Sequence, residues 1–423
     1  MKAVVLAAGE GVRLLPITSN RPKHMIRIGG KPILEHCLDA LKACGIREVL
    51  IVTHYMSHVI REHFGDGSSR GLTLQYVEQP RILGTGNAVS LVKPHVDEAF
   101  ALVYGDLLFT STALEQVLEA YTRQKPSVTM AVVPVDTPES YGIVEVANGL
   151  KVQRVVEKPP QEKAPSNLAN AGLYVLSTEI FESLKQTSMS VRGEWEITDA
   201  LTALAASGGT VLAAAIPKDE WMDIGRPWDL LEANRWVLQR MRHEVYGTIE
   251  NGAHLLGNVT VASTARVRSG AYVEGPVYID EGSDIGPNCY IRPCTSIGRN
   301  VRIGNACEIK NSLIMDWTHV GHLSYVGDSV LCEHCNLGAG TITANYRLDG
   351  KTVKMLVKDK LVDTGRRKLG AIIGDNVKTG INALFMPGVK VGQDSWIGPN
   401  FTVHRDIPPK TMALPRNNHE NLC

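Results

Sequence analysis

From Val261 onward this 423-residue chain repeats itself every six residues. Val261, Val267, Val273, Ile279, Ile285, Ile291, Ile297, Ile303 and Ile309 are nine aliphatic positions in unbroken register, and a second run follows at Ile373, Thr379, Phe385, Val391, Ile397 and Val403. Glycine often comes next, as in Ile285-Gly286, Ile297-Gly298 and Val391-Gly392. Four places after the aliphatic residue stands a modest one, such as Ala265, Ala271, Cys289, Thr295 or Cys307. A period of six fits neither a helix nor an isolated strand. It is the hexapeptide pattern of a left-handed parallel β-helix. Each hexad forms one short face of a coil and points its aliphatic residue inward, and stacked coils bury a continuous apolar column.

The register slips between Ile309 and Ile314, resumes at Val320 and Val326, slips again to Leu331 and Leu337, and breaks after Thr343. Residues 344–370 are polar and basic. A long excursion from a regular solenoid is expected to be a functional loop. Residues 1–235 carry a different pattern. Short apolar runs at Lys2–Ala7, Glu48–Thr53, Ala99–Tyr104 and Val128–Val135 alternate with amphipathic stretches such as Ile33–Ala43. This predicts a Rossmann-like α/β domain with a mainly parallel sheet, helices on both faces, and ligands at the carboxyl ends of the strands. The expected organisation is therefore an α/β domain over 1–235, a linker over 236–260, a β-helix over 261–408 with the loop 344–370, and a tail over 409–423.

Charge and cysteine content narrow the function. Lys+Arg and Asp+Glu are both 44, so any phosphate site must come from local cations, and neither nucleic acid nor a membrane surface is an expected partner. The amino-terminal run MKAVVLAAGEG lacks the long apolar core of a signal peptide, and no stretch approaches the length of a membrane span, which makes the cytoplasm the expected location. Of eight cysteines only Cys332-Glu-His-Cys335 has metal-like spacing, with no second pair, which favours reduced structural thiols over zinc.

The most specific stretch runs from Leu6 to Met25, LAAGEGVRLLPITSNRPKHM. A glycine loop follows the first strand. Gly9 and Gly11 let the backbone approach phosphates, Arg13 offers a two-pronged guanidinium, and Lys23 adds a point charge. The loop lacks the Gly-Lys-Ser/Thr ending of a Walker loop and the third glycine of a dinucleotide fingerprint.

With Pro16 and Arg21-Pro22-Lys23 at this spacing, the stretch resembles the signature of sugar-1-phosphate nucleotidylyltransferases. Over residues 1–405 the chain resembles the bifunctional N-acetylglucosamine-1-phosphate uridylyltransferase/glucosamine-1-phosphate acetyltransferase family in its archaeal form. The resemblance implies that Leu6, Ala8, Gly9, Gly11, Lys23, Gln79, Gly84 and Thr85 meet the nucleotide. It implies that Gly142, Glu157, Lys158 and Asn170 line a sugar-phosphate pocket, and that Asp106 and Asp223 hold Mg²⁺. In such a reaction the sugar-phosphate oxygen attacks the α-phosphorus of UTP or dTTP and pyrophosphate leaves in line. Catalysis then rests on positioning and charge neutralisation by Arg13, Lys23 and the metal.

In the repeat half, Val320-Gly-His-Leu-Ser-Tyr-Val-Gly327 supplies His322, whose near-neutral imidazole suits proton removal from an amine. By the resemblance His322 is the base of an acetyltransferase. Arg292 and Lys310 bind the amino-sugar phosphate with Tyr325 and Asn336 nearby, Asn345 orients the amine or the histidine, and Ala339 contacts acetyl-CoA. Lys351 and Lys354 both compete for the family's loop lysine. The basic run Lys358–Lys368 either grips CoA phosphates or is a solvated loop. In this family the site is shared between neighbouring coils of a homotrimer. The resemblance implies a UDP-N-acetylhexosamine as product. The alternatives are a glucose-1-phosphate uridylyl- or thymidylyltransferase with a structural β-helix, and a non-catalytic relative of the same fold. The sugar (gluco or galacto) and the choice between UTP and dTTP stay open at this level.

Overall fold

The computed structural model describes residues 1–190 and 192–415, so Cys423 and the end of the expected tail lie outside the described residues. The chain forms two compact units. One takes Met1–Glu10, Pro22–Met25 and Pro32–Ile224; the other takes Gly11–Arg21, Ile26–Lys31 and the residues from Gly225 onward.

The first unit is built on a nine-stranded sheet. Strand β1 (Ala3–Ala7) lies between β2 (Glu48–Thr53) and β4 (Phe100–Tyr104), parallel to both, and β3 (Thr73–Glu78) continues the parallel set beyond β2. These strands read as unbroken apolar runs because both faces are covered. Ala3 and Val5 pack with Leu34, Leu38 and Leu41 of helix α1 (Ile33–Ala43), whereas Val4 packs with Val89, Ile197 and Leu201 on the opposite face. Past β4 the sheet turns mixed. The long strand Leu168–Leu176 runs antiparallel to β4, and Gly142–Val146 and Val152–Glu157 pair antiparallel beside it. These successive strands have no helical crossover between them, so they can meet only head to tail.

The second unit contains the helix Asp229–Leu238 and three parallel sheets of eight, nine and eight short strands, the faces of a parallel β-helix. The aliphatic residues of the repeat stack directly: Val261 on Ile279, Ile279 on Ile297, Ile297 on Ile314, Ile314 on Leu331. All are buried in one apolar column with Cys289, Cys307 and Cys335. Rungs are 18 residues apart down to Ile297, and then the coil shortens by one residue in total, so that Ile297–Ile314, Ile303–Val320 and Ile309–Val326 all span 17. That dropped residue is the slip seen in the sequence. Coils also begin earlier than the nine-position run, at Glu244–Val245, Thr248–Ile249 and His254–Leu256, inside the segment expected as a linker. Ile249 and Leu255 extend the six-residue register backward, masked by charged and polar neighbours.

The excursion leaves after Thr343 and returns so that Leu331 stacks on Ile373, 42 residues away. It carries an antiparallel hairpin, Lys354–Val357 with Lys360–Asp363. Within the same unit, buried Arg21 donates to Asp375 at 2.8 Å and lies 3.1 Å from Glu333, which fastens the Gly11–Arg21 segment to the coils. The seven described cysteines are free thiols; Cys332 and Cys335 are buried, and burial pushes the Cys335 thiol up to about 12. No helix among the described residues is long and apolar enough to cross a membrane.

Candidate functional sites

At the carboxyl ends of β1 and β4 the backbone is drawn together. Gly105, one residue past β4, donates its N–H to the Leu6 carbonyl at 2.9 Å, and a Cβ on Gly105 would stand 2.9 Å from that same oxygen. The tight approach brings Asp106 to the glycine loop, where its carboxylate meets the Lys23 ammonium. Gly9 lies flush against that lysine, with room for a Cβ 3.5 Å from Cε. Burial opposes the charge of Asp106, but the Lys23 cation outweighs it and holds the carboxyl below its usual range. Strand Trp221–Asp223 pairs antiparallel with Leu107–Phe109, placing Asp223 opposite Leu107, and the Ile224 N–H reaches the Asp106 carbonyl at 3.3 Å. Two carboxylate residues thus sit at adjoining strand ends. Arg13 and Gly11 belong to the second unit. Gly11 opens a short 3-10 turn, and the exposed Arg13 stands where a Cβ on Gly225 would come within 3.2–3.4 Å of its guanidinium.

Around this edge lie the other residues expected on nucleotide and sugar. Gln79 is buried and donates from Nε2 to Asn87 Oδ1 at 2.9 Å and to the Gly84 carbonyl at 3.3 Å. Gly84 (φ 105°) precedes helix Thr85–Ser90; a side chain there would collide with the Trp195 carbonyl at 2.5 Å. Thr85 Oγ1 accepts from the Ile197 N–H at 3.1 Å, so its hydroxyl ties two segments together. Leu6 is half-buried and Ala8 buried. Gly142 pairs with Glu157 across two strands, and a Cβ on Gly142 would stand 3.0 Å from the Glu157 carboxylate. Glu157 in turn accepts from Thr198 and from Arg192, both at 3.4 Å. Asn170 Oδ1 accepts from Tyr174 at 2.7 Å and from the Gly172 N–H at 3.1 Å, which orients its amide. Lys158 is exposed, its N–H on the Tyr141 carbonyl.

In the second unit, Arg292, Lys310, Tyr325 and Asn345 line one cavity of about 370 Å³ together with Tyr346 and Lys368. Two of these side chains share a buried carboxylate: Asp328 accepts from Lys310 at 2.8 Å and Asn345 at 2.5 Å, and also from Asn311 at 2.6 Å. Asn345 also donates to the Tyr325 hydroxyl at 3.1 Å, and Arg292 pairs with Glu308 at 2.8 Å. His322 is exposed at the end of strand His319–His322, opposite Asn305; it, Asn336 and Ala339 lie outside the lining of this cavity. Lys351 and Lys354 line a separate cavity on the excursion, with Arg347, Asp363 and Arg367.

Comparison with known proteins follows this division. Residues 2–240 match the nucleotidyl transferase family, and residues 273–380 match a domain described as the GMPPB C-terminal domain. The chain is 41% identical to the bifunctional protein GlmU of Methanocaldococcus jannaschii, over 99% of this chain and 98% of that one. It is 40% identical to a bifunctional sugar-1-phosphate nucleotidylyltransferase/acetyltransferase of Sulfurisphaera tokodaii, over 96% and 98%. The chain belongs to the bifunctional sugar-1-phosphate nucleotidylyltransferase/acetyltransferase family. A solved UDP-glucose pyrophosphorylase bound to UDP-glucose superposes with a TM-score of 0.52 at 28% identity, covering 57% of this chain and 99% of that one.

This member of the bifunctional nucleotidylyltransferase/acetyltransferase family is an enzyme with two activities. Lys368 of the basic run and two residues with no expected role, Asp328 and His24, stand at its candidate sites. Lys368, at the end of the basic run Lys358–Lys368, lines the cavity of Arg292 and Lys310, whereas Lys351 and Lys354 line the other one. The signal available was position: Lys368 lies just before Ala371, where the repeat resumes. Asp328 follows Lys310 by 18 residues, close to one coil, a spacing that marks vertical neighbours. His24 is fully buried beside Lys23 and Asp106, with neither ring nitrogen hydrogen-bonded; burial, and then the Lys23 cation, push it down to about 3. No sequence pattern marks that burial.

Proposed function

We propose that the repeat half transfers acetyl from acetyl-CoA to glucosamine 1-phosphate, and that the α/β half then transfers uridylyl from UTP to N-acetylglucosamine 1-phosphate, releasing pyrophosphate. The observation that carries this reading is the pairing of Lys23 with Asp106 beneath Gly105, in one chain with the Arg292–Lys310–Tyr325–Asn345 cavity. Residues 1–235 serve uridylyl transfer and residues 261–408 acetyl transfer.

In the α/β half, Gly9 and its neighbours pass backbone to the triphosphate, and Lys23 leaves Asp106 for the phosphate oxygens when nucleotide enters. Arg13 adds a second cation on the leaving pyrophosphate. Gln79, Gly84 and Thr85 hold the base. Glu157 and Asn170 take sugar hydroxyl and acetamido groups over Gly142, and Lys158 meets the sugar phosphate. Asp106 and Asp223 fit Mg²⁺, a hard cation that takes one or two carboxylates and fills its shell from substrate phosphates. When bound, the ion neutralises charge on the triphosphate as it reacts.

In the repeat half, Arg292 and Lys310 hold the amino-sugar phosphate beside Tyr325 and Asn336. Asn345 aims the amine, His322 removes its proton, and Ala339 offers backbone to acetyl-CoA. His322 stands away from the cavity of its own chain, which accords with a homotrimer in which a neighbouring copy completes each site. Release of pyrophosphate from UTP and of free thiol from acetyl-CoA test the two halves separately. Lys23→Ala abolishes the first signal and spares the second, and His322→Ala does the reverse. A panel of gluco- and galacto-configured 1-phosphates with UTP and dTTP fixes the substrates. Loss of both signals in either variant would refute this division of labour.

A further inference from the structure

A second cavity of about 490 Å³ adjoins the acceptor site, and Arg292, Lys310 and Lys368 line both. On its far side stand Arg235 from the helix Asp229–Leu238 and Arg366 and Arg367 from the excursion. Its lining carries six cations against two acids, Glu232 and Asp328. Those acids are already engaged. Asp328 holds Lys310, Asn311 and Asn345, and Glu232 is shared by Arg366 and by Arg235 at 3.8 Å. Arg367 has a long hydrogen bond to the Gly350 carbonyl at 3.4 Å. Such a lining favours a ligand carrying more than one phosphate. The volume lies within the range of small-molecule pockets.

A phosphate held by Arg292 and Lys310 faces both cavities. The sugar occupies the side with Tyr325 and Asn345, so any group esterified to that phosphate extends toward Arg235, Arg366 and Arg367. We infer that this cavity is a second phosphate subsite of the acetyl acceptor, so that the acetyltransferase half takes a nucleoside-diphosphate amino sugar as well as an amino-sugar 1-phosphate. The inference rests on the assignment of Arg292 and Lys310 to the acceptor phosphate. The chemistry is the same for either acceptor. The amine nitrogen forms the amide bond to the acetyl carbon, the C–S bond breaks, and CoA leaves as the thiol, taking up the proton the amine gives up. The order of the two activities then ceases to be obligatory, because uridylyl transfer onto an amino sugar still leaves a product the second site can acetylate.

The test measures thiol release from acetyl-CoA by the full-length protein, with UDP-glucosamine or glucosamine 1-phosphate as acceptor. EDTA is present and pyrophosphate absent, so that the other half cannot regenerate the monophosphate. Both acceptors are expected to react. Arg235→Ala/Arg367→Ala is expected to lower kcat/KM for UDP-glucosamine by about tenfold or more, and that for glucosamine 1-phosphate by no more than about twofold. Arg367→Ala alone, at an exposed position, is the control against misfolding and is expected to show a smaller loss of the same selectivity. Reaction of glucosamine 1-phosphate without UDP-glucosamine overturns the inference and leaves the acetyltransferase reading standing. Reaction of neither overturns both. A raised KM for acetyl-CoA with both acceptors assigns the subsite to the phosphates of CoA and overturns it as well.

Discussion

The two halves gather their charged side chains by opposite routes. In the α/β half, Lys23 and Asp106 are 83 residues apart and meet only because β1 and β4 are neighbours and Gly105 lets their ends close up. In the β-helix, Arg292, Lys310 and Asp328 follow one another at 18-residue steps, so distance along the chain becomes height along the stack. A sheet can bring together any residues that its strand order allows. A solenoid brings together those in phase, and out-of-phase groups must come from an insertion such as 344–370. The first arrangement depends on a few close backbone contacts, the second on a repeating column that distributes its stability over many rungs.

That contrast can be broken by substitution, most severely at Lys23. Lys23→Ala is expected to cut pyrophosphate release by about a hundredfold to a thousandfold, the scale of a lost transition-state cation or donor, with acetyl transfer unchanged. In the other half, Asp328→Ala leaves the half-buried Lys310 ammonium without its carboxylate and Asn311 and Asn345 without their acceptor. It is expected to reduce stability by about 3 kcal/mol in urea denaturation and to abolish most thiol release. Gly105→Ala places a methyl group against the Leu6 carbonyl; a loss of about 1–3 kcal/mol, with weakened nucleotide binding, is expected from the forced separation of the strand ends.

Acid stability sharpens the comparison further. His24 titrates near 6.5 when unfolded and near 3 when folded. Between those values the unfolded chain binds a proton that the folded chain refuses, so stability falls as pH drops, by at most about 1.4 kcal/mol per pH unit. Asp106, held below its ordinary range, has the same sign but acts only at lower pH. Unfolding curves at pH 6.5 and 5 are expected to show a shallower decline for His24→Leu than for the native chain. The smallest effects are expected on the excursion hairpin. Lys351→Ala and Lys354→Ala should change the acceptor KM by about twofold or less, whereas Lys368→Ala should raise it about tenfold, read by thiol release against glucosamine 1-phosphate concentration.

How much was legible follows from the same contrast. The β-helix could be read from Val261 to Val403 because each inward position repeats, and even the slip at Ile314 resolves into one residue lost from the coil. Arg292, Lys310, Tyr325 and Asn345 were legible and share a cavity. Lys368 was legible only as part of the basic run Lys358–Lys368, because nothing periodic indexes a single residue within an insertion. In the α/β half the parallel core was plain from its unbroken apolar runs. The antiparallel strands between Gly142 and Leu176 were not, since an apolar run does not state its direction. The glycine loop was legible through its family resemblance. The burial of His24 arises from elements far apart in the chain and leaves no local trace.

The return of the excursion has one more consequence. Leu331 rests on Ile373 as if the intervening stretch were absent, so the stack is indifferent to what is inserted there. Length and composition in that stretch can drift or be exchanged between relatives without disturbing a single rung, provided the two attachment points stay one storey apart. Part of the cavity wall, Asn345, Tyr346 and Lys368, is in this sense carried on an exchangeable cassette, while Arg292, Lys310 and Tyr325 stay fixed on the scaffold.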